Sequence, residues 1–218
     1  MFPNVETIDL FSVRVGASGV GVSSFEIFDH APSLTDLNAG VHRNTWRPQV
    51  NPPTGLEDFA TTHTGLTALK LTTMRLDRRG LLLPFASDRL RSLNLLAAVP
   101  HMKDLVTVVG ACPALTSLNI SYLTVRNRDV LEALPASLEV LKIDHCRQTT
   151  DNGVRAVVRQ CPDLRVLSAR GENDVTFAGW EEVVRALPFL ELLDIRNSPA
   201  GNLGDLAQAA PIGAVIRI

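Results

Sequence analysis

The feature that most constrains this 218-residue chain is a spaced triplet of apolar residues, L-x-x-L-x-L in its fullest form, that returns eight times. The triplets are Val5-Ile8-Leu10, Leu34-Leu37-Ala39, Leu66-Leu69-Leu71, Leu90-Leu93-Leu95, Leu115-Leu118-Ile120, Leu138-Leu141-Ile143, Leu164-Leu167-Ala169 and Leu190-Leu193-Ile195. Successive first positions lie 29, 32, 24, 25, 23, 26 and 26 residues apart. Within each triplet the closing alternation suits a short strand with one buried face. So short a strand cannot stand alone. Self-similarity at this period implies units that bury their apolar faces against one another.

The segments upstream of the triplets carry the other period. Leu105, Val108, Val109 and Cys112 precede Leu115; Val154, Val157, Val158 and Cys161 precede Leu164; Trp180, Val183, Val184 and Leu187 precede Leu190. All three sets read i, i+3, i+4, i+7, the inner stripe of an amphipathic helix. Leu56, Phe59 and Ala60, and earlier Ile27 and Phe28, follow the same pattern. Proline closes the stripe at Pro113, Pro162 and Pro188, as at Pro32 and Pro135, where it stops a helix and turns the chain into the strand. Thr150 and Thr176 stand four residues before the stripe, in position to cap the helix.

Each unit is therefore strand, loop, helix and turn, with right-handed crossovers between parallel strands. The expected architecture is an α/β solenoid of about eight to nine repeats, horseshoe-shaped, with strands on the concave face and helices on the convex face. One domain spans 1–218, with an irregular loop insert at about 40–54. The run Leu81-Leu82-Leu83-Pro84-Phe85 permits only a distorted or 3₁₀-like helix. A further stripe at Leu203, Leu206 and Ala207, followed by Pro211, predicts a ninth strand with Gly213, Ile216 and Ile218 in the triplet slots. Neither end reads as a polar cap. The chain is thus expected to be a piece of a longer solenoid, or one that caps itself by pairing.

This pattern identifies the chain as a leucine-rich-repeat protein. The segment from His145 to Ala169 also resembles the cysteine-containing repeat of F-box proteins, with Cys146, Thr150, Asp151, Gly153, Val154, Cys161, Pro162, Leu164 and Leu167 in the matching slots. Val175, Thr176, Gly179 and Trp180 keep part of the motif, and Cys112-Pro113-Ala114-Leu115 keeps its closing half. The resemblance implies a horseshoe that presents substrates to a ubiquitin ligase, whose scaffold is bound by a separate N-terminal F-box. Repeats begin here at the first residue, so contact with the scaffold is expected only through a region outside this chain. Related repeats serve ribonuclease-inhibitor-like proteins, GTPase activators and bacterial effectors. These give the alternative reading, regulation of an enzyme through the same surface.

Composition narrows the field. With 21 basic and 23 acidic residues the net charge is −2, which gives no general attraction to nucleic acid or anionic membrane. Aromatic residues at 5% are too few for base-stacking platforms. No apolar run reaches the roughly 18 residues of a membrane span, and the N-terminus lacks the pattern of a signal peptide. Three cysteines without a C-x-x-C read as buried thiols in a reducing compartment, so the expected location is cytoplasmic or nuclear.

Positions between and after the triplet residues should face the concave side. From these come the candidate partner-binding residues: Asp9, Asp36, Asn38, Lys70, Asn94, Asn119, Lys142, Asp144, Arg170, Asp194 and Arg196. Their mixed signs suit a protein partner rather than nucleic acid. Arg170 and Arg196, one strand apart, are placed to clamp an acidic or phosphorylated group. The other motifs read as structural. Gly16 to Gly21 lacks the spacing of a phosphate loop, and Cys146 sits where the repeat satisfies its own backbone. The five histidines lack metal-ligand spacing, and His42, Arg43, Trp46 and Arg47 form a small basic-aromatic group in the insert. No catalytic residue, metal or cofactor is expected. The chain reads as a protein-interaction module and not an enzyme.

Overall fold

The computed structural model describes residues 6–9, 33–39, 55–123, 128–146, 148–198 and 203–218. The insert at about 40–54, its basic-aromatic group, the Gly16 to Gly21 run and the Ile27 and Phe28 pair lie outside them. The chain divides into two compact units, Met1–Cys112 and Pro113–Ile218.

In the first unit, strands β1 (Thr7–Asp9), β2 (Asp36–Asn38), β3 (Ala68–Lys70) and β5 (Ser92–Asn94) follow one another in parallel register. Leu37, Leu69 and Leu93 align across the strands and are buried. Helix α1 (Leu56–Thr62) buries Leu56, Phe59 and Ala60, the stripe that the periodicity predicts. After β3 the apolar run makes only a 3₁₀ turn, Leu83–Phe85, because Pro84 tolerates only the first turn of a helix. A second ladder pairs β4 (Arg75–Leu76) with β6 (Val99–Pro100) on this side of the unit. Helix α2 (Met102–Gly110) closes it, burying Leu105, Val108 and Val109, with Cys112 buried just beyond.

The second unit repeats the plan with more regular helices. Strands β7 (Ser117–Asn119), β8 (Val140–Lys142), β9 (Val166–Ser168), β10 (Leu192–Asp194) and β11 (Val215–Arg217) pair in parallel with no register slip. Helices α3 (Arg128–Glu132), α4 (Asp151–Gln160), α5 (Phe177–Ala186) and α6 (Leu203–Ala209) intervene, each packed on the next. Trp180, Val183, Val184 and Leu187 are all buried, as the stripe predicts. In α4 the buried face is Gly153, Val154, Ala156 and Val157, while Val158 is only half-buried. Thr176 caps α5 by accepting the Gly179 N–H at 3.3 Å. Thr150 occupies the same place before α4 but makes no side-chain cap bond, so half of the predicted capping is realised.

Three features bind each repeat to the next within a unit. The ladder continues past each strand, through Ile120 N–H to Lys142 O (2.9 Å), Ile143 N–H to Ser168 O (2.8 Å) and Ala169 N–H to Asp194 O (2.8 Å). The chain then turns through a left-handed residue two positions on: Thr73 (φ 58°), Ala97 (53°), Tyr122 (62°), His145 (53°), Gly171 (69°) and Asn197 (63°). Finally, buried thiols act as rungs. Cys146 Sγ donates to Ile120 O at 3.1 Å and Cys161 Sγ to Pro135 O at 3.6 Å, while Cys112 Sγ accepts the Ser87 N–H at 3.4 Å. Burial pushes the Cys146 thiol up to about 12, with the charges of Glu172 and Asp144 adding to the shift. Cys161 is pushed to about 12 by burial alone. These thiols are hydrogen-bonding fillers rather than nucleophiles.

Candidate functional site

Side-chain alternation puts one residue in two of each strand on the face opposite the buried triplets. In the first unit this face carries a shallow cavity of about 300 Å³ lined by Asp36, Asn38, Lys70 and Asn94 together with Thr7 and Ala68. Four predicted partner-binding residues thus meet there. Strand β1 carries Asp9, whose side chain lies outside the described set. Asp36 Oδ2 accepts the Thr35 hydroxyl at 2.8 Å, and Asn94 Oδ1 accepts the Leu96 N–H at 3.1 Å. The second bond fixes the turn out of the strand and holds the amide still.

The second unit repeats that turn device. Asn119 Oδ1 accepts the Ser121 N–H at 3.1 Å, and Asp194 Oδ1 the Arg196 N–H at 3.4 Å. Asn119 is half-buried and Lys142 exposed. Asp144 is 3% exposed, so it sits inside the turn rather than on the open face. Its Oδ1 accepts the Ser168 hydroxyl at 2.6 Å and the Arg170 N–H at 3.0 Å. Its Oδ2 accepts Arg170 Nε at 3.0 Å and Nη2 at 2.5 Å, and Ser121 Oγ accepts the Asp144 N–H at 3.1 Å. Burial opposes ionisation of Asp144, yet the Arg170 guanidinium and the Ser168 hydroxyl hold its carboxyl below the usual range. Asp194 is held low in the same way by Arg196, whose Nε and Nη2 bind it at 2.9 and 2.8 Å.

Arg170 and Arg196 are therefore not loose clamps. Each is pinned by a carboxylate on two of its nitrogens, with its side chain 38% and 45% exposed. Pinning fixes where the guanidinium points and offsets its charge. It leaves an ordered donor edge facing outward.

The same register brings together residues that sequence reasoning placed on the face without singling them out. Val140, Val166, Leu192 and Val215 stand directly opposite one another on β8 to β11. Beside them on the next row stand Lys142 and Arg217, both exposed. The signal available in the sequence was an apolar residue recurring immediately before the second triplet position in four successive repeats.

Besides Asp144 and Asp194, the second unit buries a further carboxylate that the sequence did not reveal. Glu172, 2% exposed, accepts the Cys146 N–H at 2.6 Å. Burial pushes its carboxyl up to about 8, against hydrogen bonds from Thr149 and Cys146 that favour the charge. Among the described residues no group of three or more His, Cys, Asp or Glu side chains is arranged to hold a metal. No described helix is long and apolar enough to cross a membrane.

Parallel strands in register, each followed by a loop and a helical segment, with the triplet buried between them, define an α/β solenoid of leucine-rich-repeat type. The comparisons agree at the level of fold. The chain is similar to the solved structure of an internalin (inlF) from Listeria monocytogenes, with a TM-score of 0.55 and 13% identity over 89% of this chain and 50% of that one. It is 40% identical over 63 residues to GRR1-like protein 1 of Arabidopsis thaliana, a stretch covering 29% of this chain and 11% of that protein. No family model matches. Folds of this type are typically binding scaffolds.

Proposed function

We propose that this chain is a protein-interaction module that takes its partner on the open face of its strands, the concave side of a horseshoe. The observation that carries the reading is the contrast between the two sides of each strand. Leu141, Leu167 and Leu193 are fully buried, while Val140, Lys142, Val166 and Leu192 beside them keep solvent exposure. Such a surface is built into the fold and needs no enzyme chemistry. The predicted residues Asp36, Asn38, Lys70, Asn94, Asn119 and Lys142 belong to it, with Arg170 and Arg196 as ordered donors at its edge.

The finer reading makes this surface the substrate-recognition repeats of an F-box-like ubiquitin ligase subunit. It is supported by the cysteine-containing repeat from His145 to Ala169 and by the local likeness to GRR1-like protein 1. Photo-crosslinking in the full-length gene product tests both levels. A benzoylphenylalanine at Asn94 or Lys142 should trap a partner, and one at the helix residue Arg159 should not. Equal trapping from Arg159 overturns the strand-face reading. Absence of any ubiquitin-ligase scaffold subunit among the co-purified proteins overturns the ligase version alone.

A further inference from the structure

We propose that the strand face of the second unit is a docking site for an amphipathic α-helix with an acidic flank, lying across strands β8 to β11. This deepens the reading of the strand face as a binding surface and rests on it.

The argument starts from the register. Val140 pairs with Val166, Val166 with Leu192, and Leu192 with Val215, which makes one unbroken apolar row across four strands. Val215 at its end is 51% exposed. In the first unit the same row is Thr7, Asp36, Ala68 and Ser92, so the fold does not demand an apolar row. Its presence in one unit is a property of these residues.

Spacing selects the secondary structure of the occupant. Adjacent strands lie about 4.8 Å apart, so the row offers one apolar contact per 4.8 Å. A helix crossing the strands presents one apolar residue per turn, about 5.4 Å, and meets the row strand by strand. An extended segment repeats its apolar side only every 6.7 Å or so and falls out of step at once.

Charge selects the flank. Lys142 and Arg217 stand exposed on the row beyond the valines and make no ion pair with the described residues. Arg170 and Arg196 extend the cationic border, their charges offset by Asp144 and Asp194. On the other side Glu139 is exposed and Arg165 is paired with Glu191 at 2.6 Å. The field therefore runs from acidic to basic across the apolar row, and a complementary helix carries carboxylates on the side facing Lys142 and Arg217.

Selection from a displayed library of random 16-residue peptides tests this on the intact chain, with counter-selection on a Val166→Glu variant. The expected survivors have apolar residues at i, i+3 or i+4 and i+7 and a net negative charge. A synthetic survivor should bind at least tenfold more weakly to Val166→Glu and to the double variant Lys142→Glu/Arg217→Glu, the latter changing only exposed side chains. Arg159→Ala, on helix α4 and away from the strand face, should leave binding unchanged. Survivors with a two-residue period, including any that add to the β11 edge, overturn the helix while leaving the strand face a binding surface. Helical survivors that are basic, or indifferent to the charge reversal, overturn the acidic flank. Failure to recover any peptide that distinguishes the parent from Val166→Glu overturns this site, while the strand-face reading stands or falls on crosslinking from Asn94 and Lys142.

Discussion

His145 holds a left-handed backbone, stacks its ring on Tyr122 at 4.8 Å, and lies directly over Gly171, itself at φ 69°. A Cβ at Gly171 would run into the imidazole. Gly171→Ala should therefore cost about 1–3 kcal/mol, from backbone strain and the collision together. Thermal unfolding of Gly171→Ala and of Gly171→Ala/His145→Ala checks it, the double variant regaining the part due to the ring. Gly179 is constrained without any unusual φ, because its Cβ would come 2.5 Å from Asp151 Oδ1, which accepts the Thr176 N–H. Glu172 makes a pH prediction. Its folded value of about 8 lies above its ordinary 4.5, so its carboxyl costs no stability below about 4.5. As pH rises from there through 8, the buried carboxyl must ionise or stay protonated against the solvent, and stability is lost. Melting of Glu172→Gln should show a weaker decline than the parent between pH 5 and 8.5. Each 1 kcal/mol is worth about 2–4 °C for a chain of this size. Asp144 and Asp194 act in the opposite sense, since their lowered values add stability that is lost on acidification.

At the scale of the element, helices α4 and α5 show what a short amphipathic segment requires from its neighbours. Ten residues are too few for a helix to persist in water unaided, so its stability comes from the buried stripe. Val183 is fully buried in that stripe. Val183→Asp places an unpaired charge there and should cost about 3–5 kcal/mol, read as a lowered melting temperature and lost helical signal. An unchanged melting curve would mean the stripe is misaligned. The helices with clear three-four spacing and a closing proline were legible in the sequence. The left-handed turns were not, because Thr73, Ala97, Tyr122 and His145 carry none of the glycine or asparagine bias that marks such positions. Ladder bonds on both sides of the turn, such as Tyr122 N–H to Asp144 O at 2.8 Å, outweigh the local preference.

At the scale of the whole molecule the polar positions separate into roles that their spacing did not distinguish. Asn94, Asn119 and Asp194 hold turns, Asp144 and Glu172 are buried ties between repeats of the second unit, and Lys142 and Arg217 are left exposed. A net charge of −2 conceals this. Exposed Lys142 and Arg217 of the second unit lie on one border of the strand face, so the local charge there departs from the average. Stacking explains why so much function is left to surface residues. Each unit's core is settled by its immediate neighbours, so the outward strand positions can vary without endangering the fold.

What the sequence alone determined is the repeating frame: the triplet sets the strand, the three-four stripe sets the helix, and proline sets the join. Each is a local, periodic signal repeated often enough to be unmistakable. Only the tertiary structure decided which polar side chains face solvent and which tie one repeat to the next. Residues some 26 positions apart become adjacent only when the units stack, as Asp144 does with Arg170 and Cys146 with Ile120. Whether a charge is a hook for a partner or an internal strut depends on that adjacency, and no single repeat contains it.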